Sequence, residues 1–184
     1  STLAENCQRH GIALFDMLDE RQGIEHVVAS EQGLVLPGMV IAAGDSHTTS
    51  HGAMGALGFG IGSSEIEHLL ATQTLVYTVM KNMRVHVTGR LGPGLSAKDL
   101  VLALIRQIGA DGATGHVIEY TGEAIAALGV EGRLTLCNMS VEAAARGAIV
   151  APDDTLFNYL HGRPYAPADA QWDVAVKAWR QWHS

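Results

Sequence analysis

Residues 44–75, GDSHTTSHGAMGALGFGIGSSEIEHLLATQTL, restrict the fold more than any other stretch of the chain. They follow a short apolar run at 39–43 that suits a buried strand, pass through a polar turn and a glycine-rich stretch ending at Gly62, and finish in a helical pattern. Strand, close-approach loop and helix in that order belong to an α/β chain with a mostly parallel sheet. Ser63, Ser64 and Glu67 read as the helix start, Ser64 and Glu67 being spaced as a capping box, and the helix is expected over 64–77. Asp45, Ser46 and His47 then leave a strand end together. An acid, a hydroxyl and an imidazole can address one ligand there, beside glycines that let the backbone come close.

The alternation continues along the chain. Residues 3–10 read as a helix stopped by Gly11, and 12–15 as another short buried strand. Residues 83–88 (MRVHVT) alternate as a strand, Gly92, Pro93 and Gly94 mark a turn, and Ser96 with Asp99 caps a helix over 97–108 that Gly109 ends. Helices are expected at 122–128, 134–146, 154–161 and 168–182, around a strand at 117–120. Charge balance and pattern both change near Lys81. They divide the chain into a first lobe, 1–80, carrying Asp45-Ser46-His47 and incomplete at its N-terminus, and a second α/β lobe, 81–184, carrying CNMSVE at 137–142.

Charge and cysteine usage exclude several functions. Residues 1–80 hold two basic side chains, Arg9 and Arg21, against nine acids, and no Lys or Arg lies between Arg21 and Lys81 in a chain of net charge −7. Nucleic acid is therefore not an expected partner, since phosphate binding needs clustered cations. A di- or tricarboxylate ligand would want arginine clamps, which the first lobe does not place near Asp45, so those cations must come from elsewhere. Cys7 and Cys137 are the two cysteines and form no C-x-x-C, which rules out a disulfide scaffold and reads as two core thiols. No apolar run reaches the roughly 18 residues of a membrane span, and residues 1–10 lack a signal-peptide pattern, so no membrane partner and a cytoplasmic location are expected.

Read from the residues alone, His26 in GIEHVV is a core histidine, and Asn138 and Glu142, four apart, form a polar helix stripe. His47 and His51 have H-x-x-x-H spacing, but Thr48 stands where a zinc protease has glutamate and Gly52 follows at once. Gly58, Gly60 and Gly62 lack the acidic ribose ligand of a dinucleotide loop and read as a close-packed glycine turn. Trp172, Trp179 and Trp182 read as packing for the last helix.

The 44–75 block, GATGHVIEYTGEA at 112–124, LTLCNMSVE at 134–142 and VAPDDTLFNY at 150–159, taken in this order, resemble the large subunit of the 3-isopropylmalate dehydratases in the aconitase superfamily. The family's large subunit is more than twice this length, so the chain is expected to be an internal piece of one. The resemblance implies three-layer αβα lobes and a hydro-lyase that interconverts 2- and 3-isopropylmalate by dehydration and rehydration in leucine biosynthesis. It also implies a [4Fe-4S] cluster on three cysteines, with one iron open as a Lewis acid, and a small swivel-domain subunit that supplies the carbanion-forming base. Carried over residue by residue, it pairs His26 with Asp45 and His47 with Glu142, directs Ser46 to a substrate carboxylate and places Asn138 beside the cluster, leaving His116 structural.

The cluster ligands are absent, and no metal site is expected in this chain. Alone it should lack dehydratase activity and self-associate through exposed apolar area. The readings kept beside this one are a related hydro-lyase (homoaconitase, aconitase or a methylmalate-type dehydratase) and a non-catalytic acid-binding or subunit-interaction module.

Overall fold

The computed structural model describes residues 1–182. Helix α1, Thr2–His10, starts at Ser1, whose hydroxyl accepts the Ala4 N–H, and stops at Gly11 with φ 66°. Residues 12–15 correct the expected strand. No other described strand pairs with them, and an unpaired ladder is not stable. Phe15 lies instead under the Arg21 guanidinium, 4.3 Å from the ring centre. Helix α2, Glu25–Glu31, follows and carries His26 in its first turn.

Strand β1, Val40–Ala43, pairs in parallel with β2, Leu57–Gly60. Between them the 3₁₀ helix Thr48–Met54 is buried at every residue. The expected glycine turn is thus a strand, and a physical reason puts glycines in it. A β-carbon at Gly58 would stand 2.1 Å from the Thr48 carbonyl oxygen, and one at Gly60 would stand 2.6 Å from that of Asp45. The turn at 45–48 rests directly on β2.

Helix α3, Ser63–Thr72, is shorter than the pattern implied, because Gln73 takes the left-handed conformation (φ 57°) and closes it. At its start Glu65, rather than Glu67, accepts the Gly62 N–H at 2.7 Å. Residues 74–80 then run without regular structure, with the Tyr77 ring 4.5 Å from Phe59 and its hydroxyl accepting from Arg146 at 2.7 Å.

The second sheet is wholly parallel in the order β3 (Lys81–His86), β4 (His116–Thr121), β5 (Gly147–Val150). Helix α4, Ala97–Ile108, links β3 to β4 with the expected bounds, and the Ser96 N–H and hydroxyl both donate to Asp99, at 2.8 and 2.7 Å. Between β4 and β5 run α5, Glu123–Ala126, α6, Val130–Met139, and the 3₁₀ helix Ser140–Ala143. The helix expected to 146 ends early because Ala144 turns left-handed (φ 60°) and releases the chain into β5. Helices α7, Asp154–Leu160, and α8, Asp169–Trp179, complete the chain. Trp172 and Trp179 pack edge to face at 5.8 Å, and Trp182 covers Gly38.

Each sheet lies in one half of the sequence, yet one core joins them. Ala53, Met54 and Ala56 pack in the same cluster as Ile118, Tyr120, Leu136, Ala148, Leu156 and Leu160. At Gly52 a β-carbon would stand 1.7 Å from the Ala148 carbonyl oxygen, so the 48–54 helix abuts β5 with no space to spare. Tyr120 donates to or accepts from Ser140 at 2.9 Å inside this core, where burial pushes its phenol up to about 12. Met17, Leu18, Val76 and Val79 are almost fully exposed apolar side chains. No described helix is long and apolar enough to cross a membrane.

Arg133 is the largest fully buried side chain. It grips Asp153 through two bonds of 2.7 and 2.6 Å and donates to the Leu128 and Ala126 carbonyls. Asp153 also caps α7. Burial raises the Asp153 carboxyl, but the Arg133 bonds and charge outweigh it and hold the group below its usual range. A lowered folded value stabilises above the unfolded one and is lost as pH falls through it. Asp153→Asn should therefore cost about 2–4 kcal/mol in urea unfolding near neutral pH, by leaving a buried guanidinium unpaired. The deficit should shrink below about pH 4. Equal stabilities at pH 7 would refute the pairing.

Candidate active site

The site begins where β1 ends. Asp45 Oδ1 accepts the His47 N–H at 2.7 Å, the Thr48 hydroxyl donates to the Asp45 carbonyl at 2.6 Å, and the Ser50 hydroxyl donates to the His47 carbonyl at 2.6 Å. Three short bonds within one turn fix the direction of each side chain. The His47 N–H is the main reason the Asp45 carboxyl sits below its ordinary value; the charges of His26 and His47 add to it, against partial desolvation.

On this turn the expected partners meet. His26 Nε2 lies 3.1 Å from Asp45 Oδ1, and His47 Nε2 lies 3.4 Å from Glu142 Oε1. His47 Nδ1 is 3.0 Å from the Ser46 hydroxyl. With Ser46 donating to Nδ1, the Nε2 proton faces Glu142, so one tautomer satisfies both contacts. Asn138 donates to the Ser50 hydroxyl at 2.9 Å. Asn138 leaves the end of α6 and Glu142 the 3₁₀ helix after it, so one continuous segment reaches residues 47 and 50. His26, Asp45, Ser46, His47, Asn138 and Glu142 are all brought together. Beside them an open groove of about 500 Å³ is lined by Ile24, His26, Ser50, Lys98 and Asn138 among others.

Two neighbours, Lys98 and Glu25, went unread in the sequence, and His51 was read only as half of an H-x-x-x-H spacing. Lys98, in the first turn of α4, brings a cation to the groove from the second half of the chain. Glu25 Oε1 lies 2.6 Å from His51 Nε2, and Glu25 Oε2 lies 2.6 Å from His26 Nδ1. His51 is wholly buried. Desolvation would raise the Glu25 carboxyl, but its bond to His51 and the charges of both histidines together draw it below the usual range. Adjacent His and Glu in GIEH was the available signal for Glu25; nothing in the spacing pointed to Lys98. The H-x-x-x-H pair does not converge, since His47 turns to Glu142 and His51 to Glu25. His116 sits at the head of β4 with Nδ1 2.9 Å from the Thr114 carbonyl.

Both cysteines are buried, and burial pushes the Cys137 thiol far above its ordinary value. A [4Fe-4S] cluster with one open iron takes three cysteine thiolates, and two buried cysteines with no second thiol beside either do not fit it. Residues 1–184 match the aconitase family (aconitate hydratase).

The chain belongs to the aconitase family.

Its α/β fold with parallel sheets agrees with that membership. Two curated relatives named "3-isopropylmalate dehydratase large subunit 2", from Salmonella choleraesuis (strain SC-B67) and Salmonella typhimurium (strain LT2), are each 67% identical to this aconitase-family chain over 177 residues. "3-isopropylmalate dehydratase large subunit 1" of Mannheimia succiniciproducens is 63% identical over the same length. In each case the match covers 96% of this chain and 37% of the relative. The chain thus spans little more than a third of the length of these proteins.

Gly60→Ala tests the seat of the turn. Its methyl, aimed at the Asp45 carbonyl, should cost about 1–3 kcal/mol by overpacking and shift the His26 and His47 imidazole signals in NMR spectra. Gly62→Ala, which would meet only the Glu65 carboxylate at 3.5 Å, should leave those signals in place.

Proposed function

We propose that this chain is part of the large subunit of a hydro-lyase that interconverts 2-isopropylmalate and 3-isopropylmalate by removing and re-adding water, in leucine biosynthesis. The observation that carries the reading is the pair of histidine–carboxylate contacts on one turn, His26 with Asp45 and His47 with Glu142, with His26 lining the groove. It stands in a chain 67% identical to proteins named for that activity. Dehydration needs a proton delivered to a leaving hydroxyl and rehydration needs it taken back. An imidazole held on one nitrogen by a carboxylate keeps a fixed orientation and can do both.

In this reading Asp45 orients His26, Glu142 orients His47, and Ser46 turns its hydroxyl from His47 to a substrate carboxylate. Lys98 supplies charge complementary to a hydroxy di-acid. Asn138 fixes the turn through Ser50 and faces the cofactor in the whole protein. The [4Fe-4S] cluster is assigned to residues outside this chain, and the carbanion-forming base to a small swivel-domain subunit, the partner that the words "large subunit" in the relatives' names imply. Residues 1–80 and 81–184 act as two lobes of the cytoplasmic enzyme, and the exposed Met17, Leu18, Val76 and Val79 meet neighbouring parts of it; in the isolated chain they favour self-association.

In the whole protein, Asp45→Asn or His47→Ala should lower kcat by roughly 10²–10⁴-fold while KM changes little. Wild-type turnover in either variant would remove the pairs from the chemistry. The isolated chain should stay colourless after anaerobic incubation with iron and sulfide; a brown product with about one cluster per chain would overturn the placement of the cluster ligands.

A further inference from the structure

The geometry points to a divalent-metal site, with zinc the best match, formed by Glu25, His26 and His51. The donor atoms of these residues lie within 4.8 Å of one another. Two imidazoles and a carboxylate are the donor set of open tetrahedral zinc sites, with metal–donor distances of about 2.0–2.2 Å.

Two contacts say more than the composition. Asp45 Oδ1 lies 3.1 Å from His26 Nε2 and can only accept, so the neutral ring carries its proton on that nitrogen. His26 Nδ1 is then a lone pair, and it faces Glu25 Oε2 at 2.6 Å. Nδ1 is buried and has no aligned hydrogen-bond partner. In the neutral ring two acceptors held that close repel, and either a second ring proton or a metal ion relieves the repulsion. A metal ion can take the place of that proton, bound by His26 Nδ1, by His51 Nε2, which is 2.6 Å from Glu25 Oε1, and by the carboxylate, once the half-exposed Glu25 side chain draws back to the roughly 3.4 Å donor separation of a tetrahedral site. The Asp45–His26 contact survives and becomes the outer carboxylate that orients a metal-bound histidine.

The surroundings suit an ion that enters and leaves. His51 is wholly buried and belongs to the 3₁₀ helix Thr48–Met54, so one donor is rigid. Glu25 is 44% exposed and His26 opens on the groove, which supplies an entry path and leaves room for water as the fourth ligand. The ion would sit on the face of His26 opposite Asp45. It would immobilise an imidazole that the hydro-lyase reading needs free to exchange protons, so zinc in excess should inhibit.

The test is titration of the metal-free 184-residue chain with Zn²⁺ by calorimetry and with Co²⁺ by visible spectroscopy, circular dichroism reporting the fold of every variant. One ion per chain is expected, with the ligand-field bands of four-coordinate cobalt and no thiolate charge transfer. Glu25→Gln should weaken binding by about a hundredfold or more, beyond the 10–100-fold typical of outer-shell partners, and Asp45→Asn should fall within that range. His51→Gln should also lose the ion. If that buried substitution unfolds the chain, the exposed Glu25→Gln decides. No saturable binding, or binding unchanged in Glu25→Gln, overturns the site and leaves a purely hydrogen-bonded cluster. The readout needs neither substrate nor iron–sulfur cluster, so it stands or falls separately from the hydro-lyase reading.

Discussion

The burial of Thr48–Met54 between the two sheets holds the rest in place. Polar side chains of this helix, Thr48, Thr49, Ser50 and His51, are inside the protein, where an unbonded polar group is costly. Thr48 and Ser50 donate to the Asp45 and His47 carbonyls, and His51 Nε2 meets Glu25. Those same bonds shape the turn that carries Asp45, Ser46 and His47. Close contact completes the arrangement, since Gly52 lies against β5 and Gly58 against the Thr48 carbonyl. Core packing and site geometry are therefore one set of interactions.

Much of the architecture was legible because its signals are local. Helices α1, α4 and α7 start at Ser1, Ser96 and Asp153, and each bond involves residues three apart in sequence. Strand β1 declared itself as a short apolar run and β3 by its alternation. The misreadings share a cause. β2 looked like a turn because Gly58 and Gly60 are there for close approach, which spacing does not distinguish from flexibility. Residues 12–15 looked like a strand, but pairing depends on a neighbour that the sequence does not name. Ala144 takes a left-handed conformation usually left to glycine, so the early end of the helix before β5 had no marker.

The site divides in the same way. The His26–Asp45 and His47–Glu142 pairs followed from resemblance to a family, since 19 and 95 positions separate the partners. Local pattern would have left His26 in the core and Glu142 on a polar stripe. Glu25 and Lys98 were missed, and His51 was weighed only with His47, because each acquires its meaning only when α2, the buried 3₁₀ helix and α4 converge. The sequence showed a shortage of cations in the first half; the fold answers it partly by lending Lys98 from the second.

The bond from Asn138 to Ser50 has a mechanical consequence. Together with the reach of Glu142 to His47, it attaches the end of α6 and the segment after it to the turn at two points, 2.9 and 3.4 Å long. Both points lie across the irregular stretch at 74–80 that would otherwise serve as a hinge. A swing of one half against the other would have to break both bonds and draw Thr48–Met54 out of a shared core. The turn and its partners therefore move as a single rigid block. Bending within that block does not open or shut the groove.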